Sequence, residues 1–372
     1  MSRARIFLSP PWVGAEERAA VSGAFDSGYV APCGPMVDAF EQAIARQAGR
    51  RYAVAVSSGT AALDLAMAEF GVDSNWTVVA PTLTFVATVG PAWHRGARLV
   101  FVDCDETGNM SVDCLGRALR TLRRRNRSGR ILVIGVDLYG RCCDYAAIDA
   151  LCRRYRCASL FDSAEAVGAR RDGKPAGSAG VMSVYSFNGN KIITTSGGGA
   201  LLTDDPGIAE RARKRSQQSR EPVPWYQHAE VGYNYRMSNL LASVGLAQLK
   251  KLPRILAARR RTYEAYAKHV DVLPAVDGEN HWLTVARVGS VRVRDALLAR
   301  FAEADIEVRP VWKPLHLQPV FAGCETFGGK QAERLFETGI CLPSGTGLTA
   351  ADRRRILACL DDSIDFHRSK MR

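Results

Sequence analysis

No stretch of this 372-residue chain approaches the roughly 20 consecutive apolar residues that cross a bilayer, so no membrane span is expected. The opening Met1-Ser2-Arg3-Ala4-Arg5-Ile6-Phe7 lacks the apolar core of a secretion signal, which makes the cytoplasm the expected location. The ten cysteines include no CxxC pair and the six histidines show no ligand spacing, so no metal site is expected. Cys104 and Cys341 sit among apolar neighbours and read as small core residues of a reducing compartment rather than as disulfide partners. Internal repeats, low-complexity tracts and flexible linkers are all missing. The apolar (47%) and charged (24%) fractions exclude disorder and leave an ordinary globular protein long enough for two domains.

What the chain has in excess is positive charge, a formal +12. The arginines concentrate between Arg117 and Arg130 and at Arg259-Arg260-Arg261. Both groups alternate with Leu and Ala at helical spacing and read as solvated helix faces. No nucleic-acid motif accompanies them, so nucleic acid is not an expected partner. A positive surface also suits a small molecule carrying a diphosphate.

After two amphipathic helices, Ala15 to Asp26 and Met36 to Gln47, strands and helices alternate. Strands are expected at Tyr52–Val56, Trp76–Ala80, Leu99–Val102, Ile131–Val136 and Cys157–Phe161, with helices at Ala61–Phe70, Phe85–Trp93, from Val112, and at Tyr145–Tyr155. Near-continuous apolar strands in this rhythm predict an α/β fold, a mostly parallel sheet covered by helices on both faces. From Met237 the texture changes. A helix Ser238–Lys251, an interruption at Pro253 and a second helix Arg254–Val270 precede shorter pieces, including a strand Trp282–Val288, a helix Val293–Ala304 and a last helix from Ala351. The expected division is a large α/β domain over residues 1–250 and a smaller α+β domain over 251–372.

Ligands of such sheets gather at the carboxyl ends of strands. After Val56 comes Ser57-Ser58-Gly59-Thr60, either a phosphate site at a helix N-terminus or a plain N-cap. Phe85 follows the next strand, either stacked on a flat ring or part of the core. Asp162 closes the strand before Ser163-Ala164-Glu165, either as the partner of a buried cation or as a cap. Lys191 lies in a tight polar turn five residues after Ser186 and before Gly197-Gly198-Gly199, either a solvated lysine or one whose amine forms Schiff bases. A phosphate cradle, a stacking aromatic, an acid for a pyridinium and a Schiff-base lysine are together the parts that pyridoxal 5'-phosphate requires.

Those motifs resemble the DegT/DnrJ-type sugar aminotransferases. The likeness is carried by Ser57-Ser58-Gly59-Thr60-Ala61-Ala62-Leu63, Asp162-Ser163-Ala164-Glu165-Ala166, Ser186-Phe187-Asn188-Gly189-Asn190-Lys191 and Gly232-Tyr233-Asn234-Tyr235-Arg236-Met237, and it runs essentially end to end. Within that family the subgroup making UDP-N-acetylbacillosamine precursors is most similar, through the run Asn188 to Gly199, through Arg309-Pro310-Val311-Trp312-Lys313-Pro314-Leu315-His316 and through Cys341-Leu342-Pro343-Ser344-Gly345. Ser9-Pro10-Pro11-Trp12 departs from the Ser-Pro-His type sequence of that subgroup.

The resemblance implies fold type I pyridoxal phosphate architecture and a homodimer with shared active sites. It implies that Lys191 bonds to the cofactor and that Asp162 pairs with its pyridine nitrogen. Ser58, Gly59, Thr60 and Ser186 would lie at the phosphate, Phe85 on the ring, Glu165 near its hydroxyl and Asn234 at the neighbouring subunit's cofactor phosphate. Arg309, Trp312, Lys313 and His316 would meet the substrate. The implied activity converts a 4-keto-6-deoxy nucleotide sugar, UDP-linked, to the 4-amino sugar with L-glutamate as donor and pyridoxamine 5'-phosphate as the alternate cofactor form. Amination at C3, a dehydratase of the same fold and a non-catalytic regulator are the alternatives; the family's dehydrating branch carries histidine where Lys191 stands.

Overall fold

The computed structural model describes residues 4–370, with side chains described to residue 360. After helices α1 (Ala15–Asp26) and α2 (Pro35–Ala48), the alternation yields β1 (Tyr52–Val56), α3 (Gly59–Phe70), β2 (Trp76–Pro81), α4 (Gly90–His94), β3 (Arg98–Val102), α5 (Val112–Arg125), β4 (Arg130–Val136), α6 (Tyr145–Tyr155) and β5 (Ala158–Asp162). A two-residue hairpin, β6 (Arg170–Arg171) with β7 (Lys174–Pro175), leads to β8 (Met182–Ser186) and β9 (Gly199–Thr203), then α7 (Pro206–Ser216) and α8 (Asn239–Tyr266). The remainder carries β10 (Thr284–Arg287), α9 (Val291–Glu303), β11 (Arg309–Pro310), β12 (Glu325–Phe327), α10 (Lys330–Thr338), β13 (Gly339–Leu342) and α11 (Ala350–Lys370).

Eight strands form one sheet in the order β1-β9-β8-β5-β4-β2-β3-β12. The pairs β8–β5, β5–β4, β4–β2, β2–β3 and β3–β12 are parallel, while β9 runs antiparallel between β1 and β8. Strand alternation sends Ala53 and Ala55 to one face and Val54 and Val56 to the other, into two separate cores. Both faces are therefore covered, which is why these strands are apolar throughout. The basic helix α5 behaves as its spacing predicts: Leu115, Ala118, Leu119 and Leu122 are buried while Arg120 and Arg124 face solvent.

Two helices differ from expectation. The Phe85–Trp93 segment is a 3-10 turn, Val86–Thr88, followed by the five-residue α4. Pro91 has no N–H for a continuous helix, and Thr88 is turned to donate to Asp162. Conversely Pro253 does not break α8, which runs unbroken for 28 residues. Leu252, Ile255, Arg259, Thr262 and Tyr266 are all buried along it, so packing outweighs the hydrogen bond lost at the proline.

A second, antiparallel sheet β10-β13-β11 packs with Ile6, Tyr266, Phe301, Ile306 and Ile356 around a third core. The chain crosses between the two regions in both directions. Ile6 pairs with Ile306, and β12 leaves the C-terminal part to extend the edge of the large sheet. Among the described residues, no helix is long and apolar enough to cross a membrane.

Candidate active site

The carboxyl ends of β1, β2, β4, β5 and β8 and the start of β9 meet along one edge of the large sheet, facing a cavity of about 1050 Å³. Lys191 enters it from the loop between β8 and β9, its backbone N–H turned onto the Asn188 carbonyl at 3.0 Å. The Nζ donates to Glu165 Oε1 at 3.2 Å and lies 4.2 Å from the centre of the Trp282 ring. The other oxygen of Glu165, Oε2, accepts from the Tyr139 N–H at 2.7 Å. Tyr139 holds a left-handed φ of 54°, which aims that N–H inward.

Asp162 is buried as well, with Oδ2 accepting from Thr88 Oγ1 at 2.8 Å and Oδ1 from the Ala164 N–H at 3.2 Å. Burial pushes the carboxyls of both Asp162 and Glu165 above the ordinary range, and the Lys191 ammonium pulls both back. Two carboxylates thus share one ammonium, which leaves Asp162 suited to a second cation arriving through the cavity.

Opposite lies the N-terminus of α3. Ser58 is extended and its Oγ accepts from the Ala61 N–H at 3.0 Å, so the cap is satisfied one step beyond Gly59 and Thr60. The first-turn amides of Gly59 and Thr60 have no intrahelical acceptor and stand at the cavity wall with the positive end of the helix dipole. A Cβ on Gly59 would lie 2.9 Å from Ser186 Cβ, so only glycine lets this helix end close on β8. A Cβ on Gly199 would come within 2.5 Å of the Ser58 carbonyl group, so the returning strand needs glycine too. Open amides, two hydroxyls and a dipole end make a cradle that suits a phosphate. With Asp162 as the acid and Lys191 as the amine, the donor set fits pyridoxal phosphate.

Residues 11–361 match the DegT/DnrJ/EryC1/StrS aminotransferase family. The chain belongs to this family. It is 40% identical to EpsN of Bacillus subtilis, whose name assigns it provisionally to the pyridoxal phosphate-dependent aminotransferases, over 96% of this chain and 95% of that protein. It is 36% identical to a GDP-perosamine synthase of Caulobacter vibrioides over 96% and 98% of the two chains. The solved aminotransferase TlmJ of Streptoalloteichus hindustanus superposes with a TM-score of 0.88 at 29% identity, over 97% of this chain and 99% of that one. The expected fold type I architecture is the architecture of this DegT/DnrJ/EryC1/StrS family member.

Most of the residues that the sequence singled out converge on the cavity. Ser58, Gly59, Thr60, Asp162, Glu165, Ser186 and Lys191 form its inner wall, and Phe85, Arg309, Trp312 and Lys313 its mouth. Phe85 is not core: it is 56% exposed, its ring 5.5 Å from that of Trp312. Two residues lie elsewhere. Asn234 is exposed and pairs with Gln217, away from the cavity wall of its own chain. His316 is held behind the wall, with Nδ1 2.6 Å from Thr82 Oγ1 and Nε2 3.2 Å from Glu333 Oε1. It ties the 312–318 segment to the end of β2.

Three residues at the site carry no sequence signal. Tyr139 and Trp282 stack at 6.4 Å, the first bonded to Glu165 through its N–H and the second against Lys191. Arg259, expected on a solvated helix face, is buried, and burial lowers it to about 9. It donates to the Trp282 carbonyl at 2.7 Å and to Ser9 Oγ at 3.1 Å. Only the fall of α8 across the large and small sheets turns Arg259 inward while its neighbours Arg260 and Arg261 stay exposed.

Proposed function

We propose that the chain is a pyridoxal 5'-phosphate-dependent sugar aminotransferase that carries the amino group of L-glutamate to C4 of a 4-keto-6-deoxy nucleotide sugar. The observation that carries this reading is the meeting of Lys191 Nζ with two buried carboxylates, Glu165 at 3.2 Å and Asp162 beyond it, across from the open helix end at Gly59. Likeness to EpsN supports the cofactor, and likeness to a GDP-perosamine synthase supports a nucleotide-linked sugar.

When bound, pyridoxal phosphate supplies an aldehyde that takes up the donor's amino group and a ring that accepts electron density as the donor's Cα–H bond breaks. The amides of Gly59 and Thr60 and the hydroxyls of Ser58 and Ser186 hold the phosphate. Asp162, kept in place by Thr88 and Ala164, holds the proton on the pyridine nitrogen. Lys191 Nζ takes the Cα proton and later returns it, with Glu165 as its resting partner. Phe85 would lie against the cofactor ring. Arg309 and Lys313 suit a diphosphate and Trp312 a sugar or base face. His316 serves this segment from behind by fixing it to Thr82. Asn234, exposed on its own subunit, reaches the phosphate of a second copy, and the working enzyme is a homodimer of cytoplasmic location.

The test is a panel of UDP-, GDP- and dTDP-linked 4-keto and 3-keto sugars incubated with L-glutamate and followed by 2-oxoglutarate release. Glutamate-dependent amination at C4 is expected. Amination at C3 alone, or dehydration without glutamate, overturns the positional or the chemical part. Protein that borohydride does not link to pyridoxal phosphate overturns the whole.

A further inference from the structure

Lys191 is held from outside the large sheet by a part of the chain that no catalytic motif includes. Trp282 lies in the irregular segment between α8 and β10, with its ring face 4.2 Å from Lys191 Nζ. Its indole Nε1 donates to the Asn190 carbonyl at 2.6 Å, one residue before the lysine. Ser9 Oγ donates to the same carbonyl at 2.9 Å, so segments from both ends of the chain converge on one peptide group. Beneath them Arg259 links the two by donating to the Trp282 carbonyl and to Ser9 Oγ. On the other side Asn280 donates to the carbonyls of Glu165 and Val167 at 2.8 and 3.0 Å and accepts from the Trp282 N–H at 2.9 Å. Trp282 is only 2% exposed, so the ring has no freedom to leave the lysine.

We infer that Trp282 is a positioning residue that holds the Lys191 amine against its ring face, beside Glu165. A π face attracts an ammonium but not a neutral amine, and the attraction is strongest where water is excluded. The inference rests on Lys191 being the reacting amine. A proton-carrying lysine must stay within reach of the donor's Cα whenever it is not covalently engaged. Glu165 holds it by one hydrogen bond, and the Trp282 ring face is the second contact on the same nitrogen. The charged groups that face the Nζ are Glu165 and Asp162, with Glu307, Arg309 and Lys313 further out in the same cavity and Arg259 behind the indole. None of these changes when the ring alone is altered.

The experiment therefore alters only the ring. Trp282 is replaced site-specifically by mono-, di- and trifluorinated tryptophan, which keep shape and Nε1–H while withdrawing electron density from the π face. Lys191 in the cofactor-free dimer is labelled with an amine-reactive ester over a pH series, and its modification is read by peptide mass spectrometry. The labelling midpoint should fall stepwise with fluorination, by about one pH unit overall. Trp282→Met should reproduce that shift and lower kcat about tenfold with the sugar KM within twofold, while Trp282→Phe keeps most of both. A midpoint that fluorination leaves in place overturns the inference, as do Phe and Met variants with equal midpoints. The readout needs no bound cofactor, so it separates from the functional proposal. Failure of borohydride to link wild-type Lys191 to pyridoxal phosphate would strike the proposal, whereas an unmoved midpoint strikes only the role of Trp282.

Discussion

The inner wall and the outer wall of the cavity are built on different principles. The inner wall is a row of strand ends: Ser186 closes β8, Asp162 closes β5, and Gly59 opens the helix that follows β1. Asp162 and Ser186 inherit their positions from strands paired on both sides, and Gly59, after the edge strand β1, is packed directly against Ser186, so these positions move only if the sheet moves. The outer wall is mostly irregular backbone, residues 7–11, 282–283 and 307–313, broken only by the two-residue β11 and tied down by side-chain bonds such as Arg259 to Ser9 and His316 to Thr82. Chemistry common to a family suits the rigid wall, and recognition of one substrate suits the wall that can be re-laid by changing loops. The two walls should therefore fail in different ways.

Breaking the inner wall should cost turnover first. Lys191→Ala removes the proposed proton carrier and is expected to lower kcat about a thousandfold or more while circular dichroism stays near that of wild type. A mutant that retains a tenth of the activity would move the proton-transfer role to another residue. Gly59→Ala is next. The added Cβ meets Ser186 Cβ at 2.9 Å and pushes the helix end off the strand. Cofactor affinity, measured by titrating cofactor-free protein, should weaken roughly ten- to a hundredfold. Unchanged affinity would mean that the phosphate is not held there.

Breaking the outer wall should cost binding instead. Trp312→Ala removes the ring that leans on Phe85 and Tyr139 at 5.5 and 5.4 Å. The sugar KM should rise about tenfold with kcat within threefold, a loss near 1.4 kcal/mol. Steady-state kinetics with the nucleotide sugar varied at saturating glutamate check this. An equal fall in kcat would erase the distinction between the two walls.

The same division bears on what the sequence could reveal, although Arg309, Trp312 and Lys313 of the outer wall were reached through the family resemblance. Strand ends are legible because strands announce themselves by apolar runs and the residue after each run is fixed by counting, as with Asp162 and Ser58. Lys191 was legible for a related reason, since the chain must turn between two strands that share an edge. Tyr139 and Trp282 were not, because their place depends on which distant segments pack together. Arg259 misled for the same reason: helical spacing gives a face but not what covers it, and α8 is covered on the side where that arginine lies. Pro253 and Phe85 show local rules yielding in opposite directions. Packing carried α8 through a proline, whereas the demand of Asp162 for the Thr88 hydroxyl accompanied a broken helix where periodicity predicted a continuous one.

The smallest effect should come from the inner wall without its ligand. An unfolded aspartate has its ordinary value of 3.8, and burial raises Asp162 above it in the folded protein. The folded state then holds this proton more tightly. That contribution to stability is complete below 3.8 and lost as pH rises through the folded value. At pH 8 the carboxylate is charged whether folded or not, and its burial opposes folding. Asp162→Asn removes the charge, and the Thr88 hydroxyl can rotate from donor to acceptor to suit the new amide. Cofactor-free Asp162→Asn should accordingly melt roughly 1–3 °C above wild type at pH 8, with the gap closing toward pH 4. Adding pyridoxal phosphate should reverse the order, because the pyridinium offsets the wild-type charge and has no anion to meet in the variant. A variant that melts lower at every pH without cofactor would mean that the carboxylate is a structural acceptor for Thr88 and Ala164, and that the inner wall is no more specialised for a cation than the outer one.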